Sequence, residues 1–416
     1  MSRAFSVARA SAAVPRRTRE DQQVAVRTGL DVCVADDFSA VRGMRVGAIV
    51  NPTSVDRRFR HLADLLAAAP GVKLAALFGP EHGVRGEAQY MVAVEDAARG
   101  PLTGVPVHSL YGSTFESLSP RAEWLEGLDA LIFDIQDVGC RYYTYVYTMA
   151  LAMKAAARAR VRFVVLDRPN PIGGTHVEGN LVGERFRSFV GLYPLPNRHG
   201  MTAGELARLF NAREGWGCDL TVIPCEGWRR SRDWGDTDLA FVPPSPNMPT
   251  VDTALVYPGM CLGEGTNVSE GRGTCRPFEQ FGAPWVRSDA LVERLEREKL
   301  PGVHFRACAF TPTFDKFHGE SCNGAFIHVV DRNAFRPVRT GIAIFKALHD
   351  LHPRQFAWRA DAYEFVEDVP AFDLLCGTDR VRKGIVEGWN LDRLLDGFDE
   401  DLQMFLPERR QHLLYD

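Results

Sequence analysis

The stretch ALIFDIQDVGCRYYTYVYTMALAMKAAARARVRFVVLD, residues 130–167, holds two short apolar runs on either side of a long helical segment. The runs at 130–135 and 162–167 have the length and apolarity of buried strands. The segment at 145–160 has the composition of a helix. A strand, a crossover helix and a second strand predict a βαβ unit, in which both strands run parallel in one sheet.

The same alternation of apolar runs and helical patterns extends on both sides of this unit. We predict further strands and helices, in chain order a strand at 44–50, a helix at 60–69, strands at 73–78 and 106–111, a helix at 203–214 and a strand at 219–225. Thr202 and Glu205 form a capping box at the start of the last helix, so we assign Glu205 to structure. The pattern predicts an α/β fold, a Rossmann-like domain with a mainly parallel sheet.

The alternation ends at the proline-rich segment FVPPSPNMP, residues 241–249. Beyond it the order is mixed, and we predict helices near 289–298, 337–352 and 391–406 and strands at 304–310 and 324–330. This texture is typical of a smaller α+β C-terminal domain. The predicted division is a disordered N-terminal extension at 1–28, a Rossmann-like catalytic domain at 29–245 and an auxiliary C-terminal domain at 246–416.

Composition and charge argue against several classes of protein. The chain has 416 residues, of which 45% are hydrophobic and 25% charged, as in an ordinary soluble globular protein. A formal net charge of -4 gives no reason to expect nucleic acid as a partner, and no apolar run approaches transmembrane length. Nine cysteines without a CxxC pair argue against a disulfide framework. With no evident signal peptide, they favour a cytoplasmic protein, and the oligomeric state is open.

Polar residues follow the predicted strands at one rim of the sheet, where open α/β folds bind ligands. Glu81 and His82 follow the strand at 73–78, within GPEHGVRG at 79–86. Glycine and proline already specify this turn, and an unpaired glutamate at a buried strand end costs free energy. We therefore interpret Glu81 as functional. His82 could be only its hydrogen-bond partner.

Two aspartates, Asp134 and Asp137, end the strand at 130–135 and are further candidates for a catalytic role. Asp134 could instead be the buried partner of Arg141, and for Asp137 a structural role is as good an interpretation. Asp167 could simply hold a turn. The remaining candidates after the strands are ligand-binding residues, namely Arg141, Tyr142, Tyr143, Asn170 and Glu178.

The loop GEGTNVSEGRGT at 263–274 presents polar side chains on a backbone that a ligand can approach closely, because four of its residues are glycine. The candidates on it are Glu264, Asn267, Glu270 and Arg272. The loop is neither a Walker loop nor GxGxxG. Two acids, an amide and an arginine suit a hydroxyl-rich ligand with a carboxylate, which arginine grips in bidentate fashion. A surface loop with a Glu270–Arg272 pair is the alternative.

The spacing of histidines and acids is poor for a metal site, and we expect no metal and no other cofactor. Asp134 and Asp137 could still hold a magnesium ion together, as two acids at a strand end do in some phosphate-handling enzymes. A metal-dependent phosphate or acyl hydrolase is therefore the main alternative function.

Several motifs of this chain occur in the same order in one known family. They are GPEHGVRG, DIQDVGCRYYTY (134–145), DRPNPIGG with VEG (167–179), PNRHGMTAGELA (196–207), VPPSPNMP (242–249) and GEGTNVSEGRGT. From about residue 29 to the end, the chain resembles the bacterial exo-β-N-acetylmuramidase (NamZ-type) family, formerly described as a domain of unknown function.

The resemblance implies a Rossmann-like first domain and an auxiliary domain that closes a cleft holding the active site. It implies release of N-acetylmuramic acid from the non-reducing end of peptidoglycan fragments, in cell-wall turnover and recycling, without a redox cofactor. The glutamate of the GPEHG motif falls on Glu81, which it implies is catalytic. Members of this family are often exported.

Glycoside cleavage normally needs two carboxyl groups, and we expect Glu81 as proton donor with Asp134 or Asp137 as its partner. Attack by the amide of the substrate itself is another route. The lactyl carboxylate of muramic acid would be bound by Arg272 or Arg141, with Tyr142 or Tyr143 against the sugar ring. A non-catalytic peptidoglycan-binding protein is the second alternative.

Overall fold

The computed structural model describes residues 25–84 and 103–416, and within these ranges a six-stranded sheet forms the first half of the chain. Its strands are β1 (Arg45–Val50), β2 (Lys73–Gly79), β3 (Val107–Ser109), β4 (Ala130–Asp134), β5 (Arg162–Leu166) and β6 (Leu220–Ile223). Neighbours pair in parallel in the order β3-β2-β1-β4-β5-β6. This is the Rossmann order, which reverses between β1 and β4 and leaves a crevice at the carboxyl ends.

Helices cover both faces of this sheet, which explains why its central strands β1, β4 and β5 are largely apolar. They are α1 (Gly29–Ala35), α2 (Leu62–Ala68), α3 (Ala122–Leu125), α4 (Tyr145–Ala159) and α5 (Ala203–Glu214). In β4, Leu131 and Phe133 belong to one hydrophobic core, while Ile132 between them belongs to the core on the other face. The predicted βαβ unit is confirmed as β4, α4 and β5, and the predicted Thr202–Glu205 capping box is present on α5.

The second half of the chain is the smaller α+β part that the sequence predicts. Its described residues contain an antiparallel sheet in the order β7-β9-β8, built from β7 (Gln280–Ala283), β8 (Val303–Phe310) and β9 (Cys322–Val329). The helices are α6 (Val251–Met260), α7 (Ser288–Glu296), α8 (Pro337–Leu351), α9 (Ala371–Cys376), α10 (Arg380–Val386), α11 (Leu391–Leu395) and α12 (Phe398–His412). Helix α6 packs against α8 through Gly259 and Gly341, where a Cβ on either glycine would meet the opposite backbone within 2.3 Å.

The prediction of one helix at 391–406 is wrong, because the structure has two. Helix α11 ends before Asp396, and Gly397 has a φ of +87°, a left-handed conformation that glycine adopts without steric cost. Helix α12 then begins at Phe398 and carries three acids in its first turn, where the helix dipole favours negative charge. The apolar periodicity continues across the break, so the sequence pattern alone does not reveal it.

Both ends of the described chain are anchored on the first half. Val26 is buried, Arg27 pairs with Glu226, and Thr28 caps α1, so residues 25–28 do not fit the predicted disordered extension. At the other end, the hydroxyl of Tyr415 donates to Asp167 Oδ2 at 2.6 Å. Residues 1–24 of the predicted extension, and Arg85 and Gly86 of the GPEHGVRG motif, lie outside the described residues.

All nine cysteines fall within the described ranges and are free thiols. Across residues 25–84 and 103–416, no helix combines the length and the apolarity that a membrane crossing needs.

Candidate active site

A strained turn presents Glu81 at the carboxyl edge of the parallel sheet. Strand β2 ends at Gly79, and the N–H of Gly83 donates to the carbonyl of Pro80 at 2.9 Å, which closes the turn. His82 has a φ of +69° and Gly83 a φ of +79°. A left-handed conformation costs free energy for a residue other than glycine, so such residues concentrate at functional sites. The turn therefore fixes the direction of Glu81 at a cost in stability.

The carboxylate of Glu81 lies at the N-terminus of helix α4. Its Oε2 accepts a hydrogen bond of 2.9 Å from the hydroxyl of Thr144, the residue that precedes this helix. Burial, followed by the negative charge of Glu81, raises the pKa of the nearby Tyr111 hydroxyl. Hydroxyl donors and a helix N-terminus both stabilise the charged form of a carboxyl group. His82 Nε2 lies 3.9 Å from Glu81 Oε1, which is too far for a hydrogen bond.

Glu81 opens into a pocket with about 510 Å³ of empty space, which continues into the solvent. Both halves of the chain line it. The lining residues are Glu81, His82, Tyr142, Tyr143, Thr144, Tyr145, Val190, Ser245, Asn247, Met248, Tyr257, Glu264, Arg272, Phe278, Tyr363 and Glu364.

Aromatic rings form one wall of the pocket through edge-to-face contacts. The ring of Tyr143 lies 5.0 Å from that of Tyr145 and 5.9 Å from that of Tyr257, and Tyr257 lies 4.8 Å from Phe278. The hydroxyl of Tyr145 donates to the carbonyl of Pro244 at 2.7 Å. Such contacts hold the rings rigidly, and their apolar bodies suit the C–H faces of a sugar.

The loop at 263–274 contributes an ion-paired acid and arginine to the pocket. Arg272 pairs with Glu264, and its Nε lies 3.0 Å from Glu270 Oε1. The hydroxyl of Tyr363 donates to Glu264 Oε2 at 2.6 Å. Burial alone would raise the pKa of Glu264, but Arg272 and Tyr363 more than offset it, so that pKa is lowered. Glu264 is thus held as a carboxylate.

Glu364 is a second free carboxyl group at the pocket, and the sequence analysis missed it. It is 3% exposed, and its Oε2 has no hydrogen-bond partner among the residues that the structure describes. Burial first, and then the charges of Glu81 and Glu264, raise the pKa of Glu364 well above its ordinary value. Glu364 and Phe365 have φ values of +46° and +68° in the segment between α8 and α9. That segment carries no apolar period and follows no strand, so nothing in the pattern marked it.

The structure does not bring Asp134 or Asp137 to this pocket. Asp134 is fully buried, and its two oxygens accept bonds of 2.6 Å and 2.9 Å from Arg168, not from Arg141 as the structural alternative had it. Asp137 accepts from the N–H of Gly139 at 2.8 Å and lines no part of the pocket. Both side chains point into the first half of the chain, where they hold the loops that follow the strands.

Five other candidates lie outside the pocket and make bonds that fix loops and turns. Arg141 donates to the carbonyls of Asn180, Leu195 and Leu375. Asn170 donates to the carbonyl of Met201, and Glu178 accepts from the N–H of Arg339. Asn267 bonds to Gln355 and Ala357, and Glu270 pairs with Lys316. The pocket retains Glu81, His82, Tyr142, Tyr143, Glu264 and Arg272 of the predicted site.

A Rossmann-ordered sheet, a smaller antiparallel domain and an acidic, tyrosine-lined pocket between them define a class of two-domain α/β proteins. The family model described as "Exo-beta-N-acetylmuramidase NamZ, N-terminal" matches residues 46–252, and its C-terminal counterpart matches residues 255–415. The chain belongs to the exo-β-N-acetylmuramidase NamZ family, as the sequence motifs predict.

One curated relative and two solved structures are similar over nearly the whole chain. The peptidoglycan β-N-acetylmuramidase NamZ of Bacillus subtilis is 46% identical over 99% of this chain and 96% of its own length. Two DUF1343 family proteins of Bacteroides fragilis each cover 94% of this chain. One has a TM-score of 0.86 at 36% identity over 100% of its own length, and the other 0.72 at 31% identity over 99%.

Proposed function

We propose that this chain is an exo-β-N-acetylmuramidase, which hydrolyses the bond that links a terminal N-acetylmuramic acid to the rest of a peptidoglycan fragment. One observation carries the proposal. The carboxylate of Glu81, in the GPEHG motif, lies at the N-terminus of a helix and faces the pocket. Glycosidases act through carboxyl groups at the scissile bond. The relative from Bacillus subtilis, named a peptidoglycan β-N-acetylmuramidase, supports the choice of substrate.

The pocket suits the end of a sugar chain and an acidic sugar. Its edge-to-face tyrosines can pack against the C–H face of a pyranose ring. Of the two arginines predicted to bind the lactyl carboxylate, Arg272 lines the pocket, whereas Arg141 is fully buried beneath three carbonyls. We therefore keep Arg272 for that role. Its existing pair with Glu264 would orient the guanidinium before the substrate arrives.

The metal-dependent alternative loses its proposed ligands in this arrangement. Both oxygens of Asp134 are engaged by Arg168. Asp137 accepts from the N–H of Gly139 through Oδ2, its Oδ1 has no partner among the described residues, and the residue lies outside the pocket. The second alternative is a protein that binds peptidoglycan without hydrolysing it. Cleavage of a bound glycoside distinguishes the enzyme from such a protein.

The test uses p-nitrophenyl glycosides of N-acetylmuramic acid and of N-acetylglucosamine. We expect release from the first and at least a hundredfold lower kcat/KM on the second, since the lactyl group distinguishes the two sugars. Glu81→Gln should abolish release, and Glu123→Gln, an exposed glutamate on α3, is the matched control. NMR of the product anomers gives the stereochemical course. A wild-type protein that binds the muramic acid glycoside without cleaving it would favour the binding protein.

We also infer that the protein acts in the cytoplasm on fragments that reach it there during cell-wall recycling. The nine free cysteines support this location, because thiols persist in reducing compartments. Cell fractionation with an antibody against the protein tests it, and recovery in the exported fraction would contradict it.

A further inference from the structure

We propose that Glu364 is the proton donor of the reaction and that Glu81 acts opposite it as the charged carboxylate. The inference rests on the proposed function and deepens it, because it assigns the second carboxyl group and divides the two roles. It also reverses the expectation from the sequence, in which Glu81 carries the proton.

The two glutamates reach one pocket from opposite halves of the chain. Glu81 comes from the turn after β2, and Glu364 comes from the segment between α8 and α9. The neighbouring Tyr363 anchors that segment through its 2.6 Å hydrogen bond to Glu264. Glu364 has a left-handed φ of +46°, which is unfavourable for glutamate. Strain of this kind persists only where the surroundings enforce it, and here they point a carboxyl group at the pocket.

The two glutamates differ in their hydrogen-bond partners and in their burial. Glu81 accepts from the Thr144 hydroxyl at 2.9 Å at the start of α4, which stabilises its charge. Glu364 is almost completely buried, and its Oε2 has no partner among the described residues. Burial near other carboxylates, together with an oxygen that accepts no hydrogen bond, favours the protonated form of a carboxyl group. Paired carboxyl groups with divergent environments are how one site runs acid and base chemistry together.

The charged groups around Glu364 come from several parts of the fold. Glu81 and Glu264 raise its pKa after burial has done so, while Arg272 and Arg359 act in the opposite direction. The negative charge of Glu364 also contributes, after burial and the charge of Glu81, to the raised pKa of Tyr111. The net direction for Glu364 is upward, so the acids and the burial outweigh the two arginines.

Glu264 is the other candidate for the proton donor, because it lines the same pocket. It is already paired with Arg272 and accepts from Tyr363, and its pKa is lowered. A carboxylate that is held in its charged form by two donors is a poor acid. Glu364 is left as the carboxyl group that can give up a proton.

Cleavage of the glycoside breaks one bond and moves one proton in its first step. The bond between the anomeric carbon and the glycosidic oxygen breaks, and its electron pair goes to that oxygen, which takes the proton of Glu364. The Glu81 carboxylate either forms a covalent bond to the anomeric carbon, which water then displaces, or takes a proton from the water that attacks this carbon. Water supplies the hydroxyl of the product, and its other proton returns to Glu364, directly in the covalent route and by way of Glu81 and the solvent in the other.

The test compares two leaving groups in one variant, Glu364→Gln. A disaccharide of N-acetylmuramic acid and N-acetylglucosamine needs a proton on its leaving oxygen, whereas a 2,4-dinitrophenyl glycoside leaves without one. General acid catalysis contributes about 10²- to 10⁴-fold, so we expect kcat on the disaccharide to fall by that factor. On the dinitrophenyl substrate the loss should stay under about tenfold. Glu367→Gln, an exposed neighbour on the same segment, is the matched control and should keep wild-type rates on both.

Equal losses on both substrates, or no loss on either, would overturn the assignment of Glu364. A second measurement needs no variant. In the wild type, kcat/KM on the disaccharide should fall at alkaline pH as the donor ionises, and this limb should be absent with the dinitrophenyl substrate. The same limb on both substrates also contradicts the assignment. If the wild type releases no muramic acid from either substrate, the proposed function fails instead.

Discussion

Substituting Thr144 by valine tests how the fold holds the Glu81 carboxylate. The side chains are nearly isosteric, so Thr144→Val removes the 2.9 Å hydrogen bond to Glu81 and little else. The hydroxyl makes no capping bond to helix α4, so the helix should keep its stability. A hydrogen bond to a charged group contributes about 1.5–3 kcal/mol. With about 1.4 kcal/mol for each factor of ten, kcat/KM should fall by about 10- to 150-fold.

The assay is kcat/KM on the p-nitrophenyl glycoside of N-acetylmuramic acid, together with the melting temperature of each variant. Thr144→Ser keeps the hydroxyl and should stay within about threefold of the wild type. If Thr144→Val also stays within about threefold while its melting temperature is unchanged, the hydrogen bond to Glu81 has no role in the reaction. A large fall in melting temperature would show that the residue supports the fold instead.

Three further predictions follow from buried groups. Asp134→Ala leaves Arg168 buried without its partner and should lower the free energy of unfolding by about 3–5 kcal/mol in urea titrations, with kcat of the folded protein unchanged. A variant that keeps its stability but loses kcat would show that Asp134 acts in catalysis. Tyr415→Phe removes a 2.6 Å bond to Asp167, whose pKa burial raises from 3.8 to about 6 against the opposing effect of Tyr415. The wild type loses stability as pH rises through about 6, and Tyr415→Phe should lose more between pH 4 and 7; equal losses would contradict this. Glu364→Gln should be more stable than the wild type at pH 8 but not at pH 4. The pKa of Glu364 is raised in the folded protein, so the wild type loses stability as pH rises through that pKa, whereas glutamine does not ionise. Melting curves with the same difference between the two proteins at both pH values would refute this prediction.

The centre of the parallel sheet is predictable because burial on both faces leaves β1, β4 and β5 largely apolar. In β4, for example, Leu131 and Ile132 face different cores, and no polar residue interrupts the run. The break between α11 and α12 is not predictable in this way, since it depends on one glycine in a left-handed conformation within an unbroken apolar period.

The site is only half predictable for a related reason. The rule that ligands bind after parallel strands finds Glu81, but it selects Asp134 equally well. What separates them is a partner elsewhere in the chain: Arg168 neutralises Asp134, whereas Glu81 meets hydroxyl groups and an open pocket. Glu364 reaches the pocket only because the second half of the chain packs against the first, and such long-range packing leaves no local signal in the sequence.

The most direct test of the pairing between residues 81 and 364 is a crystal structure of Glu81→Gln with the intact muramic acid–glucosamine disaccharide. We expect the glycosidic oxygen within about 3.2 Å of a Glu364 carboxyl oxygen, the reach of a general acid, and the anomeric carbon facing residue 81. A disaccharide bound outside this pocket, or with its glycosidic oxygen turned away from Glu364, would contradict the mechanism.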